Sequence, residues 1–261
     1  MQLDLTGKHA LVCGGSVGIG HATAVELALL GANVTLLARS EDALRAACAT
    51  LPCTEAQQHG YLVADMADTA GLQMQADALA ARQPVHILIN NTGGPPGGPA
   101  HSATPAAYWD AFQKHLIAGQ TLLQALLPGM RAAGWGRIVN VISTSVYEPI
   151  PNLGVSNTIR GAVASWAKTL SRELGGDGIT VNNVLPGYTR TRRLEQILQD
   201  RSTSTGKSQE EVAAGMLATV PVARFAQAQE IGGVIAFLCA PVAGYINGQS
   251  LAVDGGRMQS I

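Results

Sequence analysis

Seven short apolar runs, several rich in β-branched residues, recur along the chain: HALVC (9–13), NVTLL (33–37), YLVA (61–64), VHILI (85–89), RIVNVI (137–142), ITVNNVL (179–185) and QSLAVD (249–254). Several are apolar at consecutive positions, the mark of strands covered on both faces. Between them, helical patterns occupy 18–30, 40–51, 69–82, 105–133 and 155–175. Alternation of this kind predicts an α/β protein, a parallel sheet with helices on both sides. No Ser/Gly-rich linker or shift in composition divides the chain, so residues 1–261 read as one domain.

Two stretches break the pattern. "GGPPGGPAHSATP" (93–105) is a Gly/Pro loop after the fourth run. The most polar segment, 188–211, reads either as a solvated helical hairpin or as part of a lid, at 188–215, over a ligand crevice.

Composition narrows the function classes. Hydrophobic residues make up 47% of the 261 positions and charged residues 13%, where a soluble domain carries about 25% charged. Such a chain buries a large core and is short of charge for its surface, which suggests self-association. The net charge of -1 offers nothing to attract nucleic acid or an anionic membrane. No run reaches the roughly 20 apolar residues of a membrane span, and the start, MQLDLTGKHALVC, has neither a charged region nor a sustained apolar one. The expectation is a soluble, cytoplasmic protein. Cys13, Cys48, Cys53 and Cys239 lie scattered, with no C-x-x-C pair and no histidine at zinc spacing; Cys13 and Cys239 read as packed thiols.

The first apolar run leads into Cys13-Gly14-Gly15-Ser16-Val17-Gly18-Ile19-Gly20 and then a helix. Glycines permit a tight turn and close backbone approach, and a helix amino end offers unpaired N–H groups to a pyrophosphate. Strand before and helix after make this a dinucleotide-binding turn. At the end of the second run an acidic residue would favour NAD; this chain has Ala38 and then Arg39, whose guanidinium can pair with a 2′-phosphate. NADP(H) is therefore expected over NAD(H), the alternative for Arg39 being an exposed side chain at a helix start.

Gly14-x-x-x-Gly18-x-Gly20, Asn90-Asn91-Thr92-Gly93 and Pro186-Gly187 together resemble the short-chain dehydrogenase/reductase family. The likeness runs from about residue 5 to 256, and its general appearance is closest to the 3-oxoacyl-carrier-protein reductase-like members. The resemblance implies a Rossmann-type doubly wound sheet of seven parallel strands, a nicotinamide cofactor, and a homotetramer or homodimer. Carried over by position, Ser16 and Ile19 line the pyrophosphate turn, Asp65 and Met66 flank the adenine, and Asn91 and Gly93 pass beneath the ribose. Thr189 and Thr191 match the segment that holds the carboxamide.

The same resemblance exposes a departure. The family's reaction uses a tyrosine, a lysine four residues later, a serine thirteen residues before the tyrosine, and an asparagine on the preceding helix. Ser143 stands at the serine position; Ser156 replaces the tyrosine, Arg160 the lysine, and counting from Trp109 places Leu116 at the asparagine. A tyrosine of pKa about 10 can be tuned by a neighbouring cation, whereas a serine hydroxyl is a far weaker acid and arginine does not release its proton. Tyr188 and Tyr147 are candidate replacement donors, each with the alternative of a packed aromatic. His115 reads as a packed helix histidine.

Three functions are expected on this basis: an NADP(H)-dependent oxidoreductase on a small carbonyl or alcohol, with Ser143, Ser156, Arg160 and Tyr188 at its reacting centre; a dinucleotide-binding sensor or scaffold that has lost turnover; and a non-redox enzyme. The halohydrin dehalogenases related to the family carry arginine at the lysine position, but they keep the tyrosine and give up the dinucleotide turn, the reverse of this chain.

Overall fold

The computed structural model describes residues 1–54 and 56–260. Its strands are β1 (His9–Cys13), β2 (Asn33–Ala38), β3 (Gly60–Val63), β4 (Ile87–Asn90), β5 (Gly136–Val141), β6 (Ile179–Pro186) and β7 (Ser250–Val253). They form one sheet in the order β3-β2-β1-β4-β5-β6-β7, every neighbouring pair parallel. The helices are α1 (Gly18–Leu29), α2 (Glu41–Ala49), α3 (Thr69–Arg82), α4 (Pro105–Phe112), α5 (Ala118–Ala132), α6 (Gly154–Leu174), α7 (Arg192–Thr205), α8 (Gln209–Leu217) and α9 (Ala228–Cys239).

The consecutive apolar positions of β1 serve two cores. Ala10 and Val12 pack with residues of α1, α2 and α9 on one face; Leu11 and Cys13 pack with α3, α5 and α6 on the other. Successive side chains of a strand point to opposite faces, so both layers need apolar partners. This is the expected doubly wound sheet with helices on both faces. The buried Cys13 and Cys239 thiols are each pushed up to about 12 by burial, as inert packed groups should be.

Local signals set the helix starts. Ser40 and Asp68 accept from the N–H groups of Ala43 (3.4 Å) and Gly71 (3.0 Å). Thr104 caps α4 ahead of Pro105, and Ser208 with Glu211 closes a reciprocal box on α8. The expected helix over 105–133 is in fact α4, a π-helical turn at Gln113–Ile117, and α5. A π turn adds a residue to the ring and rotates the rest of the helix, often at functional sites. β4 begins at Ile87 instead of 85; just before it, His86 bonds to His9 of β1, its N–H donating to the His9 carbonyl at 2.8 Å and its Nδ1 accepting the His9 N–H at 3.2 Å.

The strand order reverses between β1 and β4, so the loops leaving their carboxyl ends diverge and open a crevice. A ladder of amides stiffens the sheet below it. The Asn90 side-chain amide donates to Asn140, Asn140 to Asn183, and Asn183 to the Ser250 hydroxyl, at 2.9, 2.9 and 3.0 Å. The register pairs these same residues across β4, β5, β6 and β7.

Candidate functional site

The glycine turn after β1 lies at the mouth of that crevice. Gly14 and Gly18 have φ of +58° and +60°, a left-handed backbone that glycine adopts without steric cost. A Cβ on Gly14 would meet Asn91 Nδ2 at 2.7 Å, and one on Gly20 would collide with the Gly14 carbonyl. Asn91 in turn donates to the Cys13 carbonyl at 3.2 Å, tying the end of β4 to the turn. α1 opens with no acidic residue in its first turn and no side-chain cap on Val17, so its first N–H groups face the crevice unclaimed. Ser16 and Ile19 are half-buried, while Arg39 is exposed at the end of β2. Asp65 turns one carboxylate oxygen onto the Ala67 N–H (2.9 Å).

Deeper in, a small pocket is lined by Met66, Asn91, Thr92, His115, Val141 and Arg160 among others. Arg160 projects from the first turns of α6 and is buried; its Nη1 donates to the Val141 carbonyl at 3.0 Å. Burial, reinforced by the nearby charge of Arg193, brings its pKa down to about 10. It stays cationic at neutral pH. Burial, with Arg160 and Lys114 adding to the effect, pushes His115 down to about 2, so the imidazole is neutral. The π turn gives His115 this place, whereas Leu116 packs with Ile142, Val163 and Leu185. The position counted as the asparagine, Leu116, is thus packed in an apolar cluster, and its neighbour His115 lines the pocket.

Ser143 and Ser156 are both half-buried, at the carboxyl end of β5 and the start of α6. The Ser143 hydroxyl accepts the Ser145 N–H at 3.1 Å and keeps its own proton to donate. Tyr147, three residues past Thr144, is 52% exposed.

Pro186 and Gly187 close β6 against β7, where the Gly187 N–H donates to the Val253 carbonyl at 2.9 Å. A Cβ on Gly187 would lie 2.6 Å from Asp254 Cα. Thr189 and Thr191 direct their hydroxyls to the Gly187 and Thr189 carbonyls (3.1 and 3.2 Å), and Thr191 reaches to 3.2 Å from where a Cβ of Gly18 would stand. The polar stretch after them folds as the helix pair α7 and α8 around its own cluster of Leu194, Val212, Met216 and Phe225. Arg193 ties α7 across the crevice by donating to the Pro95 carbonyl at 2.9 Å.

Tyr188 packs against this cluster. Its ring meets Phe225 edge-on at 6.2 Å and carries the Arg257 guanidinium 4.7 Å above it. It lines a separate cavity of about 220 Å³ with Val220, Val222 and Val253. Arg257 also donates to the Thr144 hydroxyl at 3.3 Å. The structure therefore links Tyr188 to the segment after Ser143 through Arg257, while the pocket around Arg160 is walled by other residues.

A family model described as enoyl-(acyl carrier protein) reductase matches residues 14–257. The 3-oxoacyl-(acyl-carrier-protein) reductase of Pseudomonas aeruginosa is 32% identical over 262 residues, covering 99% of this chain and 100% of that protein. A tropinone reductase homologue of Arabidopsis thaliana is 30% identical, over 97% of this chain and 76% of its own length. Among solved structures, L-sorbose reductase from Gluconobacter frateurii, complexed with NADPH and L-sorbose, superposes with a TM-score of 0.93 at 27% identity and covers 100% of both chains. The chain belongs to the short-chain dehydrogenase/reductase family.

Against the family pattern, Asn91 meets the glycine turn; Ser143 follows β5, Ser156 and Arg160 stand in the first turns of α6, and of these three only Arg160 lines the pocket. Sequence reasoning missed His115, Arg193, Arg257 and the asparagine ladder. Only the ladder left a readable signal, polar asparagines inside otherwise apolar strands. Among the described residues there is no cluster of His, Cys, Asp or Glu able to hold a metal, the four cysteines are free, and no helix is long and apolar enough to cross a membrane.

Proposed function

We propose that the protein is an NADP(H)-dependent oxidoreductase interconverting a small-molecule carbonyl compound and its alcohol, with an acid/base site rebuilt away from the family's tyrosine and lysine. The turn between β1 and α1 carries this reading: positive-φ glycines packed on Asn91 beneath a helix end with free N–H groups. A pyrophosphate suits that turn, because it needs the space a side chain would fill and the donors the helix leaves open. The NADPH complex of a structural relative supports the reading.

Gly14, Ser16, Gly18, Ile19 and Gly20 would hold the diphosphate, Arg39 the 2′-phosphate, Asp65 and Met66 the adenine, Asn91 and Gly93 the ribose, and Pro186, Gly187, Thr189 and Thr191 the nicotinamide end. When bound, the cofactor supplies or accepts the hydride. Ser143 donates to the carbonyl oxygen and fixes its position. Arg160 contributes a permanent positive charge beside it, and neutral His115 stays out of proton transfer. Ser156 and Ser143 pass a proton drawn from water, and Tyr188 is the candidate donor on the lid side. Residues 188–215 serve as the lid of a single unit spanning 1–261, which works as a homotetramer or homodimer in the cytoplasm.

A second reading is favoured by one observation: among the described residues lining the Arg160 pocket, neither titratable group has a pKa near neutrality. A dinucleotide-binding sensor or scaffold has the same turn and no need of a proton donor. Fluorescence titration with NADPH and NADH, followed by turnover across a panel of aldehydes and ketones, separates the two. The oxidoreductase reading expects tighter NADPH binding, lost in Arg39→Ala, and turnover cut about 10²–10³-fold in Ser143→Ala, the usual loss when an oxyanion donor is removed. NADPH binding without oxidation of the cofactor by any carbonyl supports the sensor; failure to bind either dinucleotide overturns both.

A further inference from the structure

The crevice holds two guanidinium groups that, among the described residues, pair with no acid. Arg160 uses Nη1 on the Val141 carbonyl, and Arg193, exposed on α7, uses Nη2 on the Pro95 carbonyl. A methyl group placed on Gly94 would stand 3.7 Å from Arg193 Nη2 and 3.8 Å from Arg160 Nη2, with nothing nearer. The two side chains thus face each other across a bare glycine. Each guanidinium has five N–H donors, so most of this donor capacity is unused.

A buried cation without an anion is destabilising, and a second cation nearby adds to the effect. Chains seldom retain such an arrangement as packing alone, since an apolar side chain fills the same volume with a smaller free-energy penalty. Here the deep member lies on the wall of the pocket that also holds Asn91 and His115, and the outer member sits on the lid that would close over a ligand.

We propose that Arg160 and Arg193 form a clamp for one anionic oxygen group, a carboxylate or phosphate, bound over Gly94. The proposal rests on the oxidoreductase reading and states the charge its ligand carries. Two sources share this chemistry: an acid group on the carbonyl substrate, or the cofactor's own diphosphate.

The test uses Arg193→Gln, an exposed site whose change leaves the core intact, with Arg192→Gln on the adjacent, also exposed position as control. Calorimetric titrations of 2-oxobutyrate, its neutral analogue 2-butanone, inorganic pyrophosphate and NADPH are run on each protein, the first three also without cofactor, at constant ionic strength. Loss of a charge-assisted contact weakens binding about tenfold or more. If Arg193→Gln weakens 2-oxobutyrate and leaves NADPH unchanged, the clamp takes a substrate acid. If it weakens NADPH and pyrophosphate together, the clamp takes the diphosphate. Arg193→Gln behaving like Arg192→Gln for all ligands, or wild-type protein binding neither anion above a chloride control, overturns the proposal. Because the anion titrations need no cofactor, they report separately from any failure of NADPH to bind.

Discussion

Arg137 and Arg160 are both buried against β5, one at each end of it. At the amino end, Arg137 donates to the Gly136 and Gly178 carbonyls (2.7 and 3.3 Å) and lies 4.3 Å over the Trp135 ring. At the carboxyl end, Arg160 has one carbonyl and an open pocket. β1 shows the same polarity. Its first residue, His9, is closed in by Thr35, Pro84 and His86, whereas the residue after its last is Gly14, with no side chain at all. In these two strands the polar side chain at the amino end is held by protein partners, whereas the carboxyl end opens on the crevice. Burial alone therefore does not separate the two arginines: Arg137 is enclosed by carbonyls and the Trp135 ring, with its Nε left without a partner, whereas Arg160 lines a pocket.

The largest expected effect breaks the carboxyl end. Gly20→Val should abolish NADPH binding, measured by fluorescence titration, because any Cβ there collides with the Gly14 backbone. A circular dichroism spectrum like the wild type would show that the sheet survives. Tight binding by the variant would refute the cradle.

At the amino end the prediction concerns stability. Burial brings the His9 pKa from 6.5 to about 4, so between those values the unfolded chain binds more protons than the folded one. The contribution is therefore fully present above pH 6.5 and is lost as pH falls towards 4, reaching about 3 kcal/mol for a shift of this size. Urea melts at pH 7 and pH 4 should show the wild type losing about that much more than His9→Gln, in which no such proton is taken up.

Comparing the two arginines directly gives a smaller effect. Arg137→Met should cost about 2 kcal/mol, from its carbonyl bonds and its ring contact. Arg160→Met should leave the melting temperature unchanged or raise it, since it removes an uncompensated buried charge. Equal losses from the two would erase the distinction. The subtlest test is the pH profile of kcat/KM. With His115 neutral above about 2 and Arg160 charged below about 10, the pocket contributes no ionisation between pH 5 and 9, and the profile should be flat there. A break near pH 6–7 would mean that another group titrates in the reaction.

Much of this molecule was legible before its structure. All seven strands were visible as apolar runs, most clearly β1, β5 and β6, which are covered on both faces. The phosphate turn was legible for a related reason: its glycines are demanded by backbone geometry, a local property that spacing records. Counting along the chain picked out Ser143, Ser156 and Arg160 by spacing alone, and of these the structure puts Arg160 on the pocket wall.

Counting failed at 113–117. Within the π turn, Leu116 packs into the apolar cluster and His115 lines the pocket. The apolar cluster that joins α7 and α8, and the reach of Arg193 across to Pro95, were likewise beyond a one-dimensional reading.

The sequence by itself determined the layered sheet, the glycine turn, and the replacement of tyrosine and lysine by Ser156 and Arg160, since each is set by residue type and local spacing. Tertiary structure alone decided which buried arginine lines a pocket, which histidine lines it too, and where Tyr188 stacks. Those outcomes depend on partners tens of residues away, brought together only when the strands align and the loops at their carboxyl ends converge.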